Sequence, residues 1–241
     1  MNTSKSLTLG AAMLALLTLG VRADVAGKIT LKGTPTNPDK PIKSTADPKC
    51  KHDNPDFKTE NWKVGAAGEL GDVVVWVEGG TAAPAATKPV IDQVGCQYLP
   101  HVSAITKGTA VIFQNTDATL HNVHAVEWHG KAQRPNELFN FPQIHMAGPP
   151  KQDEKKFEKA GTVKLECNVH PWMGAWLVVL DSPWFAVSGA DGTVKITGVA
   201  DGEYTVKAWH SQFNTPLEQK VKVAGGSATV SFEFDAANAG K

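Results

Sequence analysis

The 241-residue chain has no net charge, with 24 Lys and Arg against 24 Asp and Glu. A polyanionic partner such as nucleic acid is therefore not expected. Cysteine is scarce: there are three, an odd number that cannot all pair within the chain. Long apolar runs are scarcer still. The run from Leu7 to Leu19 follows a lone Lys5 and precedes Val21-Arg22-Ala23, so residues 1–23 read as a secretory signal with a small-residue cleavage site. No other stretch is long enough to span a bilayer. Loss of Lys5 and Arg22 leaves 22 basic residues against 24 acidic ones, and no cysteine for lipidation follows the cleavage site. The expectation is a soluble, secreted protein of the periplasm, beginning near Asp24.

No long amphipathic helix pattern is present. Short alternating segments run instead from end to end, among them Gly27-Lys-Ile-Thr-Leu-Lys, Asp72-Val-Val-Val-Trp-Val-Glu, Thr109-Ala-Val-Ile-Phe-Gln, Gly161-Thr-Val-Lys-Leu-Glu, Trp176-Leu-Val-Val-Leu and Ala228-Thr-Val-Ser-Phe-Glu-Phe. Each is bounded by Gly, Pro, Asn or Asp, which end strands by their turn chemistry. Asp191-Gly192 and Asp201-Gly202 read as tight turns of a meander. The fold class expected is all-β, built from one or two β-sandwiches. Residues 33–62, rich in Pro, Lys, Asp and Asn, read as a long surface connection. Residues 128–160 read as loop, ending in a charge run at Lys151-Gln-Asp-Glu-Lys-Lys that fits a solvated face.

Cys167-Asn-Val-His170-Pro-Trp-Met173 carries the most chemistry: a thiolate, an imidazole and a thioether within seven residues. A copper centre for electron transfer takes two His nitrogens and one Cys sulfur, with a weak axial Met. This loop supplies half of such a set, and His121, in Phe113-Gln-Asn-Thr-Asp-Ala-Thr-Leu-His121-Asn122-Val123, supplies a second imidazole from a distant strand. In an oxidising compartment structural thiols pair. Cys50 and Cys96 lie among turn-forming polar residues and are read as a disulfide, which leaves Cys167 for metal. A buried free thiol or an intermolecular bridge at Cys167 is the alternative.

These paired segments resemble the cupredoxins, the plastocyanin and azurin family of copper β-sandwiches. With Gly95-Cys96-Gln-Tyr-Leu-Pro-His101-Val and Leu120-His121-Asn-Val-His124-Ala they look like secreted bacterial plastocyanin-like proteins. The resemblance spans roughly residues 89–182 and implies a Greek-key sandwich holding one type 1 copper ion on His121, Cys167, His170 and Met173. It also implies that Asn122 ties its strand to the Cys loop, with its backbone N–H aimed at the sulfur, and that Trp172 shields the metal or lines a docking surface. Only Pro171 and Trp172 separate His170 from Met173, a spacing closer to the binuclear copper centre of cytochrome oxidase. That centre needs two loop cysteines, so one cysteine here favours a mononuclear site. A displaced axial ligand changes colour and potential without abolishing binding. Met146 is the weaker substitute for Met173.

The flanks, Val25-Ala-Gly27-Lys-Ile-Thr-Leu-Lys-Gly33 and Ala186-Val-Ser-Gly-Ala-Asp191-Gly192 through Trp209, resemble the carboxypeptidase regulatory-like, prealbumin-type (Ig-like) sandwich. The domain expectation is residues 24–88 and 183–241 as one sandwich with the cupredoxin, 89–182, inserted. The alternative is a simple tandem. His124 lies an odd offset from His121, which sends strand side chains to opposite faces unless the strand bulges; His124 and His101 are the possible extra ligands. His52, His129, His145 and His210 have no spacing argument.

The function expected is single-electron carriage between redox partners, with a redox protein as partner and a c-type cytochrome among the candidates. Copper storage or delivery and a non-catalytic scaffold are the alternatives. No enzyme is expected, because Cys167 and His170 share one tight loop with no placed orienting acid.

Overall fold

The computed structural model describes residues 22–42, 47–50, 57–130 and 133–240. Most of the expected signal and His52 lie outside these residues. Sixteen strands occur among the described residues. The first six are β1 (Arg22–Lys32), β2 (Val74–Val77), β3 (Val90–Val94), β4 (Gln97–Leu99), β5 (Val102–Thr106) and β6 (Ala110–Asn115). Then come β7 (Leu120–Trp128), β8 (Asn136–Ile144), β9 (Lys151–Lys156), β10 (Gly161–Glu166) and β11 (Gly174–Leu180). The chain finishes with β12 (Phe185–Val187), β13 (Thr193–Ala200), β14 (Gly202–Trp209), β15 (Leu217–Val223) and β16 (Ser227–Asp235). No described helix is long and apolar enough to cross a membrane.

The strands form four sheets. The orders are β13-β1-β16, β12-β2-β14-β15, β4-β3-β6-β9 and β5-β11-β10-β7-β8. The first two enclose one core, in which Val25, Ile29 and Leu31 of β1 meet Val230, Phe232 and Phe234 of β16. β16 shows the reason in its sequence, since every second residue from Ala228 to Phe234 is apolar and buried while Thr229, Ser231 and Glu233 between them are exposed. The other two sheets enclose a second core around Tyr98, Phe113, Val123, Leu165 and Leu177. β1 pairs in parallel with β16 and β2 pairs with both β12 and β14, so strands from both ends of the described chain share the first two sheets, and β3 to β11, between them in the chain, make up the inner two.

β11 explains how the two sandwiches meet. Its residues after Gly174 are buried on both faces. Ala175, Leu177 and Val179 face the inner core, whereas Trp176, Val178 and Leu180 join Val74, Val102 and Trp209 in a third apolar cluster between the sandwiches. Trp176 packs edge-on against Trp128 at 5.4 Å and Trp209 at 5.6 Å between ring centroids. An unbroken apolar run in place of alternation is what a strand covered on both sides requires.

Two expectations are corrected. Residues 136–144 and 151–156 are strands, not loop. Both are edges of their sheets, where Pro142 removes no ladder bond that the sheet needs and a row of charges blocks further pairing. The same features that made them read as loop are those of an edge strand. The connection of residues 33–62 is also less superficial than expected, since Cys50, Phe57 and Trp62 are buried. At the other boundary, β1 already includes Arg22 and Ala23, the latter buried and paired with Val199.

Candidate metal centre

β7 and the loop from β10 to β11 lie side by side, since β10 and β7 pair antiparallel from Thr162↔Trp128 to Glu166↔His124. His121 at the start of β7 is thereby brought to the loop that follows Glu166. The loop closes on itself: the Met173 N–H donates to the His170 carbonyl at 2.9 Å and the Cys167 N–H to the Met173 carbonyl at 3.3 Å. One tight turn thus presents Cys167 and His170 together. Met173 is buried in the same cluster as Cys167.

The donor atoms converge. Nδ1 of His121 lies 2.9 Å from Nδ1 of His170, which lies 3.8 Å from Cys167 Sγ. The three residues have ligand atoms within 4.8 Å of one another. These are spacings that donors take around one ion at bond lengths of about 2.0–2.3 Å. The residues are 0% (His121), 2% (Cys167) and 2% (His170) exposed.

The outer nitrogens make the arrangement directional. Nε2 of His121 donates to Asp117 Oδ2 at 2.9 Å, and Nε2 of His170 faces Asp47 Oδ2 at 3.2 Å and the Cys50 sulfur at 3.5 Å. With each Nε2 carrying the proton for its carboxylate, each Nδ1 is left as a lone pair. Two lone pairs 2.9 Å apart beside a sulfur repel one another unless a proton or a cation sits among them. The donor set therefore fits a thiophilic metal ion bound by two imidazoles, as copper is.

The local electrostatics agree. Burial pushes the Cys167 thiol up, but His121 and the backbone N–H groups of Asn122, His170 and Val169 aimed at the sulfur hold it below the ordinary thiol value. Burial pulls His121 down, but Asp117 and the Cys167 sulfur carry it above the ordinary imidazole value. For His170, burial wins: together with repulsion from His121 it outweighs Asp47, and the imidazole stays low. Asp117 is raised by burial, yet His121 and the N–H groups of Cys96 and Gly95 hold it below the usual carboxylate range.

Asn122 joins the two halves of the site. Its Oδ1 accepts the Asn168 N–H at 2.6 Å and lies 3.4 Å from Cys167 Sγ, and its Nδ2 donates to Asn140 at 2.8 Å. Trp172 packs on His170 at 5.2 Å between centroids and donates its indole N–H to the Cys96 carbonyl at 3.1 Å. With Met173, Trp128 and Trp176 it lines a cleft of about 340 Å³. Cys50 and Cys96 form a disulfide, and Cys167 is free.

Neither possible extra ligand joins the donor group. His101 lines the cleft, with Nδ1 3.0 Å from the Gly174 carbonyl and 3.4 Å from Glu60. His124 points to Asn168 at 3.0 Å and Glu137 at 3.1 Å. Met146 is 64% exposed. Asp47 and Asp117 escaped the reading of the sequence. Asp117 sits four residues before His121 across a turn, and that spacing was a signal available in the sequence. Asp47 reaches His170 over 123 positions, which no local pattern announces.

No protein-family model matches the chain, and no curated protein matches it. Among solved structures, a purple cupredoxin from Nitrosopumilus maritimus is 25% identical over 39% of this chain and 100% of its own, with a TM-score of 0.32. A point mutant of amicyanin in its Cu(I) form is 20% identical over 44% of this chain and 98% of its own, at 0.32. A Cu-containing nitrite reductase from Thermus scotoductus is 24% identical over 44% of this chain, which spans 25% of that enzyme, at 0.31.

Proposed function

We propose that the protein is a secreted, periplasmic mononuclear type 1 copper protein that carries single electrons between redox partners. The observation that carries this reading is the pair of inward-facing Nδ1 atoms 2.9 Å apart with the Cys167 sulfur beside them. Copper, when bound, supplies a one-electron couple between Cu(II) and Cu(I). The residues of this chain do the rest. Cys167 offers a thiolate, which suits Cu(I), and His121 and His170 offer imidazoles, which suit Cu(II). Asn122 and the closed loop hold the three donors in place whichever state is present, and a fixed compromise geometry keeps reorganisation small. Burial excludes water. Met173, buried in the same cluster as Cys167, would offer a weak thioether ligand, and Trp172 packs over His170. A redox protein such as a c-type cytochrome is the partner, and no catalytic step is assigned.

The test is to load the purified protein with Cu(II) and record its visible and electron paramagnetic resonance spectra beside Cys167→Ser. Intense sulfur-to-copper absorption with narrow copper hyperfine splitting, lost in the variant, is the expected result. Colourless or ordinary tetragonal copper unaffected by the substitution would refute it.

A further inference from the structure

The two imidazoles share a feature that ligation alone does not need: each has its outer nitrogen on a carboxylate, and each carboxylate is itself held rigidly. Asp117 accepts the Gly95 and Cys96 N–H groups, both at 2.7 Å, in addition to His121 Nε2. These two residues are the tip of the β3–β4 hairpin, with φ of 63° at Gly95 and 55° at Cys96, a two-residue turn that needs positive φ at both positions. Asp47 accepts the Lys49 N–H at 2.8 Å and the Thr119 hydroxyl at 3.1 Å in addition to facing His170. The Cys50–Cys96 disulfide then fastens the turn carrying Asp47 to the hairpin tip gripped by Asp117. Asp47 belongs to the long connection outside the inner sandwich, so the bridge delivers it to a ligand that the sandwich's own strands do not brace.

We propose that Asp47 and Asp117 are a matched pair of positioning residues, clamped by the Cys50–Cys96 disulfide, that fix the ligand imidazoles with Nδ1 inward and lower the reduction potential of the bound copper. The inference rests on the copper reading above. Two negative charges, each one imidazole away from the ion, raise ligand basicity and favour Cu(II) over Cu(I). Partners in this position are worth about 10- to 100-fold in metal affinity. A tenfold loss confined to Cu(II) corresponds to about 59 mV for a one-electron couple, so neutralising one carboxylate raises the potential by about 60–120 mV.

Two Asp47 variants separate charge from positioning. Asp47→Asn keeps an oxygen to accept the His170 Nε2–H and removes the charge; Asp47→Ala removes both. Copper-free protein is examined by nitrogen-15 imidazole NMR, and copper-loaded protein by redox titration. In the wild type and Asp47→Asn, His170 is expected to carry its proton on Nε2, and in Asp47→Ala to lose that preference. Asp47→Asn is expected to raise the potential by the amount above, as is Asp117→Asn. Asp117 also anchors a turn, so urea unfolding accompanies each variant and the Asp47 pair decides the question if Asp117→Asn does not fold. An unchanged His170 tautomer in Asp47→Ala, or an unchanged potential in Asp47→Asn, overturns the proposal. A wild type that takes no copper sinks the electron-carrier reading and with it the potential claim, whereas the NMR arm still decides whether the carboxylate positions the ring.

Discussion

His210 offers a sharp test of how the outer sandwich is built. Its ring is buried, stacked on Trp62 at 5.1 Å, met edge-on by Phe213 at 6.1 Å and at a tilt by Phe234 at 6.3 Å. The Gln212 N–H donates to its Nδ1 at 3.3 Å, which is possible only if that nitrogen is unprotonated. Burial first, and repulsion from His101 second, lower its pKa from 6.5 to about 3. In the unfolded chain the ring protonates as pH falls through about 6.5, whereas in the fold it resists protonation until about 3. Stability from this group is therefore complete above pH 6.5 and drains away between about 6.5 and 3. At about 1.36 kcal/mol per pH unit, the step from about pH 7 to about pH 5 costs about 2 kcal/mol. Urea unfolding of the wild type and His210→Phe at both pH values measures it. Phe keeps the ring stack and loses the acceptor for Gln212, a cost of about 1 kcal/mol at either pH. The wild type should lose about 2 kcal/mol more than the variant on acidification. Equal losses in the two proteins would refute the buried, neutral histidine.

Two further outcomes follow from the packing. The Cys50–Cys96 bridge joins residues 46 apart, so replacing both cysteines by serine should lower unfolding free energy by about 4 kcal/mol on chain-entropy grounds, read by urea denaturation of the metal-free protein; a change under about 1 kcal/mol would show that the connection carrying Cys50 is held by other contacts. Asn122→Ala strips acceptors from Asn168 N–H and a donor from Asn140; a loss of about 1–3 kcal/mol, with a shifted copper absorption band in the loaded protein, is expected, and an unaltered band would show that Asn122 does not shape the thiolate.

The all-β class was legible because strand alternation and turn residues are local properties. β16 shows both in nine residues. The Cys50–Cys96 pairing was legible from counting, since three thiols allow few solutions and only Cys167 has metal-binding neighbours. The two edge strands were not legible. Lys151-Gln-Asp-Glu-Lys-Lys has no apolar face, and its strand character comes from pairing with β6 along its whole length, a tertiary fact. At the centre, His121, Cys167 and His170 could be named from residue type and order, and the odd offset of His124 anticipated its separate surroundings. Asp47 could not be named, because its role depends on a disulfide and a crossing of chain segments that no spacing encodes.

The same crossing bears on why we propose electron carriage rather than metal delivery. To hand over an ion, a protein must let an incoming ligand reach the metal, and here all three donors are buried. His170 is covered on its outer edge by Asp47 and the disulfide, and His121 by Asp117 and the hairpin tip. Ligand exchange would have to break a covalently fastened lid or open the closed Cys167–Met173 loop. Passing an electron requires neither, since no atom has to enter. A site whose cover is stapled on with a covalent bond is thus poorly suited to exchange and well suited to holding one coordination geometry through repeated changes of charge. Measured metal off-rates provide the discriminating number: release to a strong chelator should be slow in the wild type and faster once Cys50 and Cys96 are replaced. Fast release from both proteins would return the delivery reading to the front.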